Sequence, residues 1–177
     1  MSEPSDNDRL EAIFREHYEA VLAYAHRRAP AQVADDVAAE TFAIAWRKAG
    51  QIPREPLPWL LGVARRVLST HRRSTQRRSR LRDRLSQTVE PITPIDVSDP
   101  RLSEALSQLS ERDQEALLLV AWEGLAPREA AAVVGLTQTG FSVRLHRARR
   151  RLRAALERDA VPKSSADRSP VTKGEAR

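Results

Sequence analysis

The sequence contains no cysteine, and it holds only 6 glycines among 177 residues. Without cysteine the chain can form no disulfide and no thiolate metal site, and it offers no cysteine nucleophile. The scarce glycines form no glycine-rich phosphate loop, and no GxSxG nucleophile elbow occurs. The histidines are scattered without the spacing of metal ligands: His17, His26, His71 and His146. We therefore expect no catalytic residue, no metal site, no bound cofactor and no enzyme.

Long apolar segments are missing as well. A helix needs about 20 consecutive apolar residues to span a bilayer, and no run in the chain approaches that length. The chain begins with MSEPSDNDRLEA, which is polar and acidic, unlike the basic and apolar start of a secretory signal peptide. We expect a cytoplasmic protein that does not insert into membranes.

Positive charge is what the chain has in excess. It carries 30 lysines and arginines against 24 acidic residues, which gives a net charge of +6 and a pI near 10.6. Such a balance favours a polyanionic partner, but charge alone does not distinguish nucleic acid from an anionic membrane. The positions of the arginines along the sequence are needed to distinguish these two kinds of partner.

Residues 126–156 indicate two short helices around a tight turn. Pro127 suits the first turn of the leading helix, and Gly135 can adopt the left-handed conformation that ends it. Thr137 can then cap the second helix. Along that helix the apolar residues recur every three or four positions, which predicts one buried stripe: Phe141, Leu145, Ala148, Leu152 and Leu156.

The other faces of the second helix carry arginines and no acidic residue: Arg144, Arg147, Arg149, Arg150, Arg151 and Arg153. A basic run by itself is more often a solvated helix face than a binding surface. Here the turn, the apolar stripe and the charge coincide, as in a helix-turn-helix that places its second helix in the major groove. We predict that the protein binds duplex DNA.

Helical periodicity runs through the chain, and no strand-like alternation occurs. We predict an all-α protein of two small helical domains, at 8–84 and 100–157, with the helix-turn-helix in the second. Residues 85–99 contain three acids and no basic residue, which predicts a flexible acidic linker. The polar ends at 1–7 and 158–177 are predicted to be disordered.

Local signals place the individual helices. The first domain should contain helices from about Asp8 to Arg28 and from about Val33 to Lys48, and a long one that begins at Trp59. In the second domain Asp99 followed by proline indicates a helix start, and Ser110 with Asp113 resembles a capping box.

The long third helix becomes strongly basic along its length. Residues 65–84 contain nine arginines against one acid, Asp83. This part cannot be a core helix, so it is either a solvated extension or a track for a phosphate backbone. We favour phosphate contact because a second basic element follows in the helix-turn-helix.

Three stretches together resemble the extracytoplasmic-function, or group 4, sigma factors of bacterial RNA polymerase. ADDVAAETFAIAWRKA at 34–49 is similar to the second-region signature AEDLVQETFLRAWR, and WLLGVARRVLSTHRRS at 59–74 to the promoter-melting helix after it. EGLAPREAAAVVGLTQTGFSVRLHRARRRL is similar to the fourth-region signature, with Glu123, Gly124 and the run RLHRAR in place. The resemblance covers nearly the whole ordered length, and it makes 8–84 sigma region 2 and 100–157 sigma region 4.

The resemblance implies a non-enzymatic factor that binds core RNA polymerase and directs transcription initiation at promoters with minus-10 and minus-35 elements. It implies docking on the clamp helices of the largest subunit through Asp35, Asp36, Ala39, Glu40 and Trp46. It implies minus-10 contacts by Trp59, Arg65, Arg66, Thr70 and Arg73. It implies minus-35 contacts by Thr137, Gln138, Ser142, Val143, Arg144, His146, Arg147 and Arg149, with the flap of the second-largest subunit as a further partner.

The chain departs from the family pattern at several of these positions. Arg66 and Thr70 stand where asparagine or aspartate is common, and Ser142 and Val143 replace a basic residue and a serine. The promoter sequence is therefore not transferable from relatives. Ala39 replaces the usual glutamine of the docking signature, which leaves the strength of polymerase binding open.

Two other functions remain as alternatives at this point. One is a stand-alone helix-turn-helix regulator, which would usually dimerise to match two half-sites. The other is a small recombinase or nuclease, which would need a nucleophile or metal triad that the sequence does not offer. Two tethered domains would also permit an anti-sigma factor to sequester the protein, and the sequence leaves open whether such a partner exists.

Overall fold

The computed structural model of the protein describes residues 6–82 and 99–160. These residues form seven α-helices and one short 3-10 turn, and they contain no strand, which confirms the all-α prediction. The N-terminal half contains α1 (Asp6–His26), α2 (Ala31–Arg47) and α3 (Pro56–Arg82). The C-terminal half contains α4 (Pro100–Ser107), α5 (Glu111–Ala121), α6 (Pro127–Val134) and α7 (Gln138–Ala160). The predicted acidic linker apart from Asp99, and most of both predicted disordered ends, lie outside the described residues.

In the N-terminal half α1, α2 and α3 pack against one another around an apolar core. Helix α1 ends at His26 rather than at Arg28, and Pro30 is the N-cap of α2. Helix α3 begins at Pro56, three residues before the predicted start at Trp59. The reason is that a proline in the first helical turn loses no hydrogen bond and already has a helical φ angle.

The starts of the first two helices in the C-terminal half follow the predicted caps. The carboxylate of Asp99 accepts a hydrogen bond from the backbone N–H of Arg101 at 2.9 Å, with a proline in the first turn of α4. The Ser110 hydroxyl accepts one from the backbone N–H of Asp113 at 3.3 Å. Only this half of the predicted capping box forms, because the Asp113 carboxylate is paired with Arg151 on α7 instead.

The turn of the helix-turn-helix has the predicted chemistry. Gly135 ends α6 with a φ of 71°, and the Thr137 hydroxyl accepts a hydrogen bond from the backbone N–H of Gly140 at 3.1 Å. The buried stripe of α7 consists of Phe141, Leu145, Ala148 and Ala155, with Leu152 half-buried. Leu156 is half-buried as well, and the buried Ala155, which lies near Leu109, is an addition that the predicted stripe did not include.

The two halves are in direct contact, which the sequence did not predict. Helix α3 packs on α6, and one buried apolar cluster includes residues from both halves. Gly62 lies at the point of approach, where a Cβ atom would be 3.8 Å from both Cα and the carbonyl oxygen of Val133. A glycine inside a helix costs about 1 kcal/mol relative to alanine. The close approach of α6 explains why a glycine occupies position 62 despite this cost.

The left-handed conformation at Gly135 provides a test of the turn. Replacement by alanine introduces a Cβ atom at positive φ, which costs about 1–2 kcal/mol. We expect Gly135→Ala to lower the free energy of unfolding by that amount in urea titrations followed by circular dichroism. Gly50→Ala is the matched control, because its Cβ meets no atom within 4 Å. Equal stability of the two variants would contradict the assignment.

Candidate nucleic-acid interface and interdomain contact

The residues predicted to contact the minus-35 element lie on α7 or at its start. Thr137 caps the helix, and the other seven lie in its N-terminal half. All are exposed except Arg144, which is half-buried. Val143 leaves 46% of its surface exposed, whereas Phe141 and Leu145 on the opposite side are buried in the core. The helix therefore presents one polar and cationic surface to solvent, as recognition in the major groove requires.

Arg151 of the basic helix forms an ion pair within the protein. Arg151 forms an ion pair and hydrogen bond with Asp113, a carboxylate on α5 that is buried in the C-terminal half. This contact joins α5 to α7 beside the apolar stripe. Arg150 and Arg153 are exposed and have no hydrogen bond or ion pair among the described residues. The charge of Arg151 is therefore used within the protein, while its neighbours remain available to an anion.

Helix α3 has one buried face and one exposed face that carries predicted minus-10 residues. Arg66, Thr70 and Arg73 are exposed and lie three or four positions apart, so they form one stripe along the helix. Trp59 lies on the same stripe about two turns before Arg66 and is half-buried. The buried face contributes to the core: Leu60, Leu61, Val63, Ala64, Val67 and Leu68.

Arg65, the fifth predicted minus-10 residue, lies on a third face of α3 with Gly62 and Arg72. Arg65 is half-buried, and Gly62 touches α6. Arg72 donates a hydrogen bond to the backbone carbonyl of Arg28 at 3.1 Å. Arg65 therefore lies apart from the exposed stripe of Arg66, Thr70 and Arg73.

The residues predicted to dock on the polymerase all lie on one side of α2 and are exposed. The carboxylate of Asp35 lies 3.7 Å from His26, and that of Glu40 lies 3.5 Å from His71. Trp46 leaves 59% of its surface exposed at the C-terminal end of the same helix. The side combines acidic and aromatic side chains, a composition suited to a protein partner.

An aromatic group extends this surface across α1 and α2. The ring of Phe14 contacts the rings of Tyr18 and Phe42, and the distance between ring centroids is 4.9 Å in each pair. Phe14 leaves 47% of its own surface exposed. A groove of about 300 Å³ lies beside Phe14, Phe42 and Trp46. Exposed aromatic side chains next to a groove are common at protein interfaces.

Four charged residues cross the contact between the halves, and we call them the interdomain ion cluster: Arg27, Arg28, Glu115 and Glu123. Arg28 donates to Glu115 at 2.9 Å through Nε and to Glu123 at 3.0 Å through Nη1. Arg27 pairs with the second carboxylate oxygen of Glu123. Only 5% of the Arg28 and Glu123 side chains is exposed. The guanidinium of Arg28 also lies over the ring of Tyr24, 3.6 Å from its centroid.

Tyr24 completes the cluster from its buried position on α1. Its hydroxyl donates to Glu115 at 2.8 Å. Burial raises the pKa of Tyr24 far above its ordinary value, despite the opposing charge of Arg28, so the phenol stays protonated. Burial alone would lower the pKa of Arg28, but the carboxylates of Glu115 and Glu123 raise it overall. The cluster is therefore two cations and two anions joined across the interface.

The described residues offer no group of three or more histidine or acidic side chains that could hold a metal ion. Within the same residues no helix is both long and apolar enough to cross a membrane. The chemistry that the described surface offers is binding, by arginine-rich helices on one side and by acidic and aromatic side chains on the other.

Two family models match the chain, one in each half. Residues 13–78 match Sigma-70 region 2, and residues 100–152 match Sigma-70, region 4. The first match contains α2 and most of α3, and the second contains the helix-turn-helix. Together with the all-helical fold they define the class: a sigma factor of the sigma-70 type.

Individual relatives show to which subgroup of these sigma factors the chain belongs. The ECF RNA polymerase sigma factor SigL of Mycobacterium tuberculosis is 30% identical over 157 residues, covering 84% of this chain and 89% of SigL. SigC of the same species is 30% identical over 166 residues, covering 85% and 84%. The chain belongs to the extracytoplasmic-function sigma factors, so it is an alternative sigma factor that directs promoter-specific transcription. This confirms the resemblance inferred from the signatures.

Solved structures share the fold. The sigma factor RpoE in complex with the anti-sigma factor NepR from Bartonella quintana superimposes with a TM-score of 0.67 at 24% identity, over 85% of this chain and 98% of that one. CnrH in complex with the cytosolic domain of CnrY gives a TM-score of 0.57 at 23% identity, over 85% and 89%. At these identities the likeness concerns the arrangement of helices.

Sequence reasoning missed the interdomain ion cluster and the pair of Asp113 with Arg151. A paired arginine at the end of an amphipathic helix gives no local sign of its partner almost a hundred residues away. Gly62 was the one available signal, because a glycine within an apolar helical run indicates close packing. The roles predicted for the individual DNA-contacting and docking residues stay predictions.

The ion pair of Asp113 with Arg151 distinguishes a structural arginine of α7 from its exposed and unpaired neighbours. We expect Arg151→Ala to lower the free energy of unfolding by about 2 kcal/mol, because it leaves a buried carboxylate without its charged partner. Arg150→Ala, at an exposed and unpaired neighbour, should change it by less than about 0.5 kcal/mol. Urea denaturation of the two variants tests this, and a loss of similar size in both would refute the structural role.

Proposed function

We propose that the protein binds core RNA polymerase through the exposed side of α2 and recognises a minus-10 element with α3 and a minus-35 element with α7. It works in the cytoplasm as a non-enzymatic factor, and the polymerase performs the phosphodiester chemistry. The observation that carries the proposal is α7, whose buried apolar stripe fixes the helix while its DNA-contacting candidates stay exposed.

Minus-35 recognition is supported by the chemistry along α7. Arg147 can donate two hydrogen bonds to a guanine edge, and an exposed Val143 can contact a thymine methyl group in the major groove. Thr137 and Arg149 lie at positions suited to phosphate oxygens, which fix the register without selecting a base. Specificity would then depend mainly on Ser142, Val143 and Arg147.

Minus-10 recognition is supported by the exposed stripe of Arg66, Thr70 and Arg73 on α3. Single-stranded DNA is bound by cationic grooves together with aromatic stacking surfaces. The arginines supply the first, whereas Trp59 is half-buried and can offer only part of its ring. We therefore propose that electrostatic contacts of the arginines contribute more to minus-10 binding than stacking on Trp59 does.

Polymerase docking is supported by the acidic face of α2 and by Trp46 at its end. Exposed carboxylates favour a basic partner surface and increase the association rate, while a desolvated aromatic side chain contributes affinity. The clamp helices of the largest subunit are the proposed partner for this face, and the flap of the second-largest subunit for the C-terminal half.

An anti-sigma factor is a further proposed partner. The structure of RpoE from Bartonella quintana contains the anti-sigma factor NepR, and this chain shares its fold over most of its length. The aromatic groove beside Phe14 and Trp46 is one surface that could accept such a protein. Co-purification with a protein that suppresses transcription by this factor would test the idea.

Run-off transcription with purified core polymerase tests the proposed function. We expect promoter-dependent transcripts with the protein and none without it. Asp36→Arg/Glu40→Arg should reduce the yield by about tenfold or more, because reversed charges repel a basic docking surface. Glu16→Arg/Glu19→Arg makes the same charge change at exposed positions on α1 and should transcribe normally. A protein that bound DNA but never stimulated polymerase would be a stand-alone regulator instead.

Base recognition by α7 can be separated from general DNA affinity. Arg147→Ala should weaken binding to the cognate minus-35 sequence by about 1–3 kcal/mol if the arginine contacts a base edge. Arg150→Ala, another exposed arginine of the same helix, should affect cognate and unrelated sequences alike. The measurement is open-complex formation by holoenzyme on promoters with intact and scrambled minus-35 elements. An equal loss for Arg147→Ala on both would make it a phosphate contact.

A further inference from the structure

We propose that Arg9 of α1 is a positioning residue for minus-10 recognition. It holds the loop between α2 and α3, residues 48–55, so that Arg54 and Glu55 continue the exposed stripe of α3. The inference rests on the proposed minus-10 recognition by α3 and adds to it a residue that touches no DNA itself. The sequence around Arg9 gives no sign of this role, because its two contacts lie 43 and 44 residues away.

Arg9 clamps the loop onto α1 through one amino group. The residue lies in the first turn of α1 and is half-buried. Its Nη2 donates to the backbone carbonyl oxygen of Ile52 at 2.8 Å and to that of Pro53 at 3.0 Å. This amino group carries two hydrogens, so one is available for each carbonyl. Two bonds from a charged donor fix both the distance and the orientation of this part of the loop.

The clamped carbonyls lie at the base of the loop. A 3-10 turn (Ala49–Gln51) follows α2, and the next side chain, Ile52, is buried in the apolar core. Ile52 has extended backbone angles, with a φ of −72° and a ψ of 124°, so the chain leaves helical geometry at this point. Carbonyl groups outside a helix need a donor from elsewhere. Arg9 supplies that donor to both.

Prolines transmit the position of the base to the rest of the loop. Pro53, Pro56 and Pro58 each have a fixed φ angle. A stiff segment moves as a unit, because few torsions between its base and its tip can absorb a change. The clamp therefore determines where the next two residues, Arg54 and Glu55, lie relative to α3.

These two residues are suited to a single strand of DNA. Both are exposed, and neither has a hydrogen bond or ion pair among the described residues. Glu55 precedes Trp59 by four positions, so it extends the stripe of α3 by one turn. Arg54 can neutralise a phosphate, and the Glu55 carboxylate can accept a hydrogen bond from the amino group of a cytosine. The stripe thereby gains a backbone contact and an acceptor for a base edge.

A loop that is held before DNA arrives lowers the cost of binding. Fixing the backbone of one residue corresponds to about tenfold in an equilibrium constant. Without the clamp this ordering would have to occur during binding. Loss of Arg9 should therefore weaken minus-10 recognition by about tenfold, while minus-35 recognition by α7 stays the same.

Three substitutions on α1 separate the clamp from general effects of charge. Arg9→Met keeps an unbranched apolar stem and removes both hydrogen bonds. Arg9→Lys keeps a charged donor and should restore part of the clamp. Arg15→Met is the matched control, because Arg15 is an exposed arginine of the same helix whose ion pair is with Glu11, one turn earlier. All three variants should keep the helicity of the parent by circular dichroism.

Amide hydrogen exchange in the free protein measures the clamp directly. We expect exchange in residues 48–57 to be about tenfold faster in Arg9→Met, intermediate in Arg9→Lys and unchanged in Arg15→Met. Equal exchange in Arg9→Met and the parent would overturn the proposal. Faster exchange throughout the N-terminal half of Arg9→Met would do so as well, because it would show a general loss of stability instead of a released loop.

Promoter libraries measure the effect on recognition. Holoenzyme forms open complexes on one library with randomised minus-10 positions and on another with randomised minus-35 positions, and the enriched sequences are counted. We expect Arg9→Met to reduce enrichment of the preferred minus-10 sequence by about tenfold and to leave minus-35 enrichment unchanged. Arg15→Met should match the parent on both libraries. A similar loss on both libraries, or on neither, would refute the positioning role of Arg9.

A double-mutant cycle tests whether Arg9 acts through the tip of the loop. In a protein that already carries Arg54→Gln/Glu55→Gln, Arg9→Met should reduce minus-10 enrichment by less than about twofold, because the side chains that it positions are gone. Losses that simply multiply would contradict the mechanism. Failure of the parent holoenzyme to enrich any minus-10 sequence would contradict the proposed function and with it the role in recognition, whereas hydrogen exchange would still show whether Arg9 holds the loop.

Discussion

Helix α3 has to satisfy three neighbours at once, and this constraint organises the molecule. One face is buried among α1 and α2, a second approaches α6 at Gly62, and a third exposes arginines to solvent. Because an α-helix has 3.6 residues per turn, neighbouring residues point in different directions, and each side chain can serve only one of these faces. Arg65 and Arg66 are adjacent in sequence yet lie on different faces, so Arg65 is half-buried while Arg66 is exposed to solvent.

Buried charge then determines how the halves meet. Apolar packing between α3 and α6 would tolerate many sliding positions, because hydrophobic contact has little directionality. The hydrogen bonds of Arg28 to Glu115 and Glu123 permit one arrangement, since any other leaves charges buried without partners.

Local features of the fold could be predicted from the sequence, and distant pairings could not. Gly135, Thr137, Asp99 and Ser110 act within a few residues of themselves, so their chemistry alone indicates helix ends. The arginine-rich surface of α7 follows from the apolar stripe on its other side. The ion cluster joins residues that are separated by most of the ordered chain. The sequence contains many acidic residues, and it does not indicate which of them pair with Arg27 and Arg28. The burial of Ala155 likewise depends on distant residues such as Leu109, which no periodicity within α7 could indicate.

The presence of two proposed DNA-binding surfaces in one chain gives a physical reason for a sigma factor to depend on polymerase for specificity. A good base contact contributes about 1–3 kcal/mol of discrimination, and α3 and α7 each offer only a few exposed candidates for such contacts. Discrimination increases when two such sites bind one DNA molecule at a fixed distance, because the second event becomes intramolecular. A partner that binds α2 and fixes the distance between the halves would supply that spacing. Promoter recognition would then be a property of the holoenzyme, with the proposed contacts of Ser142 and Val143 contributing to the choice of promoter.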